Sequence, residues 1–71
     1  MTIGKAILAI ATKKNLTNYR ISKNSGVAQT TLSEITNDKN TNPTIETVEK
    51  IAKGLGIQVS ELMKEAEKFE R

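Results

Sequence analysis

Residues 16–37 read LTNYRISKNSGVAQTTLSEITN, and the order of residue types in them points to two short helices around one corner. Thr17 is a helix-capping residue, because its side-chain oxygen can accept from a first-turn N–H that has no partner inside the helix. The segment it opens runs through Asn24, with Ile21 facing inward and Tyr19 placed to join it. Ser25-Gly26-Val27 then breaks the chain. Glycine takes up left-handed backbone without steric cost, and Val27 is an apolar plug beneath the corner. A second helix follows from about Ala28 to Thr36, with Leu32 and Ile35 as its inner face.

Working outward, the flanks read as three more helices. On the N-terminal side Ile3, Ile7, Ile10 and Ala11 recur at helical spacing, with Thr2 as the cap and Lys13 and Lys14 at the negative end of the helix dipole. On the other side, residues 37–43 form a polar loop closed by Pro43, which suits a helix start. Thr44 caps a fourth helix with the clearest 3.6-residue stripe in the chain, Ile45, Val48, Ile51, Ala52 and Leu55, and Gly56 stops it. Ser60 caps a fifth, with Leu62, Met63, Ala66 and Phe69 on one side; residues 68–71 are expected to fray. No stretch alternates with the period of a strand, and no repeat or linker interrupts the pattern. The expectation is one all-α domain of five helices over residues 1–71.

Composition narrows the chemistry. The chain has 71 residues, 37% of them hydrophobic, which allows a single thin core. It has no Cys, so disulfides and thiolate metal sites are ruled out and a reducing compartment fits. It has no His, which removes the usual general base, the commonest metal ligand and any Ser-His-Asp triad. The longest apolar run, Ala6 to Ala11, is far short of the roughly 20 residues that a membrane-spanning helix needs. Lys13 and Lys14 stand where a signal peptide would need a cleavage site, so the protein is expected to be cytoplasmic, whole and nucleoid-associated. Net charge is +3 and unevenly placed. Residues 1–33 hold Lys5, Lys13, Lys14, Arg20 and Lys23 with no acid, whereas the remainder carries eight acidic and six basic side chains. That asymmetry is what a polyanion partner met by one face would require, or it is a solvated surface with chance clustering.

A capped short helix, a glycine corner and a second short helix make up a helix-turn-helix at about residues 17–36. In that motif the first helix crosses the DNA backbone and the second lies in the major groove. Further residues extend the match: Leu16-Thr17-Asn18, Ile21-Ser22, Ser25-Gly26-Val27, Gln29-Thr30-Thr31-Leu32-Ser33, Lys39, Asn42-Pro43-Thr44, residues 51–57 as IAKGLGI, and Ser60-Glu61-Leu62. In this order and register they resemble the Cro-type, lambda-repressor-like (XRE) helix-turn-helix family over about residues 3–63. The resemblance implies a five-helix lambda-repressor-like DNA-binding domain. The chain departs from the family in places. Ala28 replaces the usual capping Ser or Thr, and Thr36 and Asp38 replace a common Glu and Gly. Ala11 stands where the family places the Arg that pairs with that Glu, so both partners of the ion pair are missing together. Gly54 lies inside the fourth helix at a cost of up to about 1 kcal/mol against Ala.

With Leu32 and Ile35 inward, a turn of about 100° per residue places Thr30 and Asn37 nearly opposite, with Gln29, Ser33 and Glu34 on the flanks. Gln29, Thr30, Ser33 and Glu34 are the candidates for base readout. A Gln amide can bond adenine N6 and N7 together, worth roughly 1–3 kcal/mol of discrimination; otherwise Gln29 is an exposed polar residue without a partner. Thr30 offers a methyl to thymine and a hydroxyl to a base or phosphate. Glu34 either accepts from cytosine N4 or is a solvated carboxylate at the groove edge, or a partner for a nearby Lys. Thr31 lies closer to the inner face and reads as packing or local capping. For the DNA backbone, Asn18 sits in the first turn of its helix, where an amide and free N–H groups can hold a phosphate oxygen. The resemblance adds Asn37, Lys39 and Asn40 in the following loop as a grip on the other side of the groove. Arg20 and Lys23 supply long-range attraction or solubility alone.

One such helix buries little surface, since single modules cover roughly 600–1,000 Å². The resemblance therefore implies a homodimer on a pseudo-palindromic double-stranded operator, with Ile57, Val59 and Phe69 as contact candidates or as members of a marginal core. No cofactor, metal, small-molecule ligand or membrane is expected, and no catalytic residue. The function that follows is a sequence-specific transcriptional regulator, a repressor of phage or mobile-element type. The alternative is a protein-binding module, an antitoxin or antirepressor, gripping a partner helix with Phe69, Leu62 and Met63. An enzyme is set aside for want of His, Cys and any Gly-rich phosphate motif.

Overall fold

The computed structural model describes residues 3–40 and 42–69. Within them the chain forms five helices: α1 (Ile3–Lys14), α2 (Asn18–Ser25), α3 (Gln29–Thr36), α4 (Ile45–Leu55) and α5 (Val59–Glu67). No strand occurs among the described residues. The expected cap Thr2 lies outside them, as does Thr41 in the loop before α4.

Local chemistry explains most helix ends. Thr17 and Thr44 sit in extended backbone, and their side chains accept from the N–H groups of Arg20 and Thr47. α1, α3 and α4 leave by one geometry. A residue at the helix exit turns left-handed, the N–H of the next residue bonds back five residues, and orphan carbonyls are satisfied. The left-handed residues are Asn15 (φ 58°), Asp38 (φ 61°) and Gly56 (φ 76°). The long bonds run from Leu16 N–H to Ala11 O, from Lys39 N–H to Glu34 O and from Ile57 N–H to Ala52 O.

Each helix contributes one apolar stripe to a common core. Ile7, Ile21, Leu32, Ile35, Ile51, Leu55 and Leu62 are its largest fully buried members, at about 1.5–3 kcal/mol of transfer free energy apiece. α4 lies along α2, while α1 packs against both α5 and α3. The α2–α4 contact explains Gly54. A Cβ there would lie 2.6 Å from Ser25 Cβ and 3.0 Å from the carbonyl oxygen of Ile21, so the glycine permits the two backbones to close up.

Three expectations are corrected. Tyr19 is turned outward, 54% exposed, with the Lys23 ammonium 5.8 Å from its ring centre. Ile45 is 64% exposed, because the first turn of α4 lies beyond the reach of the core that covers Val48. α5 starts earlier than Ser60: Gln58 is the cap, and Glu61 Oε1 accepts the Gln58 N–H at 3.2 Å. That start brings Val59 and Met63 against the core alongside Leu62 and Ala66. Lys68 and Phe69 still close a turn onto α5 through their N–H groups; the two residues after them lie outside the described part.

Candidate nucleic-acid interface

The corner between α2 and α3 is braced from both sides. Gly26 is left-handed at φ 80°, and its N–H reaches Ser22 O at 2.9 Å. Ser22 Oγ donates to Val27 O at 2.6 Å, and Ser25 Oγ accepts from Val27 N–H at 3.1 Å. Val27 is buried beneath them, 7% exposed. Two helices of eight residues each are thereby held at a fixed angle by side chains within the corner itself.

The bracing presents one edge of α3 to solvent. Leu32, Ile35 and Thr36 are buried, whereas Gln29, Thr30 and Glu34 are exposed and Thr31 and Ser33 half-buried. No side chain caps α3, since Ala28 has no oxygen to offer its first-turn N–H groups. Beside the outer edge lies an open cleft of about 490 Å³, lined by Asn18, Gln29, Thr30, Ser33, Glu34, Asn37 and Lys39. α2 supplies Asn18; α3 and the turn after it supply the rest. Seven of the eight residues singled out in the sequence for base or backbone contact therefore share this concavity.

Asn40 is the exception. It is half-buried beside the loop, where its Oδ1 accepts the Asn42 N–H at 3.1 Å. The cationic half of the sequence is not concentrated here either. Lys39 is the cleft's one cation and Glu34 its one anion. Lys14 and Lys53 line a separate shallow depression with Leu16, Asn24 and Leu55. The ion pairs among the described residues, Lys50–Glu46 within α4 and Lys68–Glu65 across the end of α5, involve no residue that lines the cleft.

The absent Arg–Glu pair leaves no buried charge. Ala11 is 5% exposed, and Thr36, 7% exposed, donates its hydroxyl to Ser33 O at 3.1 Å. The buried threonine is a feature that the sequence reading missed, and its signal was the spacing of four residues from the inward Leu32. A second missed feature is the contact of Asn37 Nδ2 with Ser33 Oγ at 3.3 Å, which their spacing of four residues would have suggested. A third is Leu8, an apolar side chain 44% exposed on α1. Of the three residues considered for gripping a partner helix, Leu62 is fully buried and Met63 and Phe69 are half-buried. Among the described residues no group of three or more carboxylates could hold a metal ion, and no helix is long and apolar enough to cross a membrane.

Two comparisons bear on this geometry. A helix-turn-helix family model matches residues 7–62, from within α1 to α5. The immunity repressor protein of Bacillus phage phi105 is 35% identical over 65 residues, which cover 92% of this chain and 44% of that protein. The chain thus spans less than half the length of the relative it matches.

Proposed function

The chain belongs to the helix-turn-helix family, and on that premise we propose that it is a sequence-specific double-stranded-DNA-binding repressor. α3 enters the major groove and a second copy binds the adjoining half-site. The observation that carries this reading is the cleft: seven side chains with hydrogen-bonding groups converge on it, and no element among the described residues fills it. The likeness to a phage immunity repressor supports the repressor assignment over other regulatory roles.

The chemistry divides by position. Asn18 at the start of α2 and Lys39 after α3, brought to the cleft by different elements, hold the two phosphate rails. Asn37 and Asn40 assist beside Lys39. These contacts set register without reading sequence. Between them Gln29, Thr30, Ser33 and Glu34 face base edges, in a groove about 12 Å wide that admits a helix. The uncapped N–H groups of α3 add a positive end to the same surface.

Dimerisation is supported by a small groove of about 180 Å³ between α1 and α5. Ile10 and Ile57 line it, together with Lys13 and Lys14 from α1 and Glu61 and Glu65 from α5. Such a surface is self-complementary: under a two-fold axis the basic side of one copy meets the acidic side of the other. Paired half-sites would then lie about 34 Å apart, or a multiple of that.

The test is selection of bound fragments from random duplex DNA, followed by titration with salt. The expected result is a two-fold symmetric site. Two copies of Lys39 alone, at a slope near −0.9 per phosphate neutralised, give roughly a tenfold loss of affinity from 50 to 200 mM salt. Gln29→Ala should flatten preference at one base pair, whereas Lys39→Ala should weaken all sequences alike. No enrichment at low ionic strength would sink the proposal.

A further inference from the structure

The helix hydroxyls of Thr12, Ser25 and Thr36 follow the usual local route and donate to a carbonyl of the preceding turn. Thr12 Oγ1 reaches Leu8 O at 2.8 Å, and Thr36 Oγ1 reaches Ser33 O at 3.1 Å. Ser33 does not. Its Oγ accepts a hydrogen bond from Asn37 Nδ2 at 3.3 Å, and its own O–H has no acceptor among the described residues. Ser33 is half-buried in the lining of the cleft, between Gln29 and Asn37 on the helix edge. A hydroxyl has one proton to give. With Asn37 occupying a lone pair, that proton is directed at whatever enters the cleft.

We infer that Asn37 sets the polarity of Ser33, so that Ser33 acts as a hydrogen-bond donor and reads the N7 of a purine on one strand. The inference rests on the DNA-binding proposal above and deepens it by assigning a base class to one position. Adenine and guanine both present N7 as an acceptor and thymine presents O4, whereas cytosine presents only a donor, N4, along its major-groove edge. A lone donor at that position rejects cytosine, and removal of N7 separates a purine partner from thymine O4. Asn37 is a positioning residue here. Its NH₂ carries two protons, one held by Ser33 and the other available to a phosphate, so a single amide joins backbone grip to base readout. Glu34, whose carboxylate offers only acceptors, has the opposite polarity and complements the donor beside it.

The experiment uses the half-site obtained by selection, with 7-deazaadenine or 7-deazaguanine placed at each purine in turn. The unmodified chain should show one A-or-G position at which loss of N7 weakens binding about fivefold, the scale of one neutral hydrogen bond. Ser33→Ala should bind with that position flattened and should be insensitive to the analogue. Asn37→Ala should lose most of the N7 sensitivity although Ser33 is still present, which a merely structural role would not cause. Asn37→Asp turns the partner into an acceptor for the Ser33 proton and should abolish the N7 sensitivity, moving preference toward the amino groups of cytosine N4 or adenine N6. Full N7 sensitivity in Ser33→Ala, or its retention in Asn37→Ala, overturns the inference. So does a selected half-site at which no purine responds, in a chain that still binds DNA with a defined sequence preference. Absence of any DNA binding overturns the proposed function itself, and the two failures are thus distinguishable.

Discussion

α3 and α4 both break rules of helix construction, and they break them in different places. α4 has a capping threonine at its start and a glycine at its left-handed exit, with its one irregularity, Gly54, buried in the middle. α3 has Ala28 where a cap belongs and Asp38 in the left-handed position, while its middle is regular. The flaw in α4 is required by a neighbour, since α2 leaves no room for a Cβ. The flaws in α3 lie at its exposed ends, at Ala28 and Asp38. Local stability has been kept where a helix serves the core and relaxed where it borders the cleft. α3 is then held in place by Leu32, Ile35 and the braced corner rather than by its own termini.

Gly54→Ala breaks the comparison hardest. Helix propensity alone predicts a gain of up to about 1 kcal/mol. The contacts at 2.6 Å to Ser25 Cβ and 3.0 Å to the Ile21 carbonyl predict that α2 and α4 must separate, costing about 1–3 kcal/mol as other overpacked sites do. The steric term should win, and urea denaturation should show a lowered midpoint at unchanged slope. A raised midpoint would mean that α4 tolerates the residue and that its glycine is as incidental as Ala28.

This case also marks what the sequence could and could not reveal. Hydrophobic period and turn chemistry sufficed for five helices, the Gly26 corner and the edge of α3, because those follow from rotation per residue and from φ alone. Gly54 read as a cost because its reason lies 29 residues away on α2. Ile45 satisfied the period and still ended exposed, since periodicity gives direction and not the extent of the opposing surface. At the start of α5, Ser60 is the better capping residue, but Gln58 is used because a start there brings Val59 and Met63 against the core. Asn40 was placed by likeness to a motif, and its side-chain oxygen turned out to be engaged by its own loop.

Ala28→Ser comes next in size. Ala28 is exposed and already in extended backbone at φ −59° and ψ 145°, so a serine hydroxyl there can accept from the open first turn of α3. The expected gain is about 1 kcal/mol, visible as a rise in thermal midpoint of several degrees for a chain this size. If the gain in stability came with unchanged DNA affinity, the open N–H groups of α3 would have no part in binding. A loss of affinity despite the added stability would place those groups at the interface.

The smallest effect comes from exchanging the two exits. Asp38 at φ 61° occupies a conformation that costs a side-chain-bearing residue roughly 1 kcal/mol, less for Asp than for most. Its carboxylate also sits at the negative end of the α3 dipole, a further few tenths. Asp38→Gly removes both terms but frees the unfolded chain, which returns about half a kcal/mol or more. The net expectation is a gain of about half a kcal/mol. Gly56→Asp in α4 should cost about the same, because a Cβ there meets only the Lys14 ammonium, at an ordinary 3.6 Å. Paired denaturation curves of the two single variants check this, and opposite shifts of similar size are the expected outcome. Two losses would show that the Asp38 side chain stabilises the turn in its own right. The relaxed ends of α3 would then have to be traced to Ala28 alone.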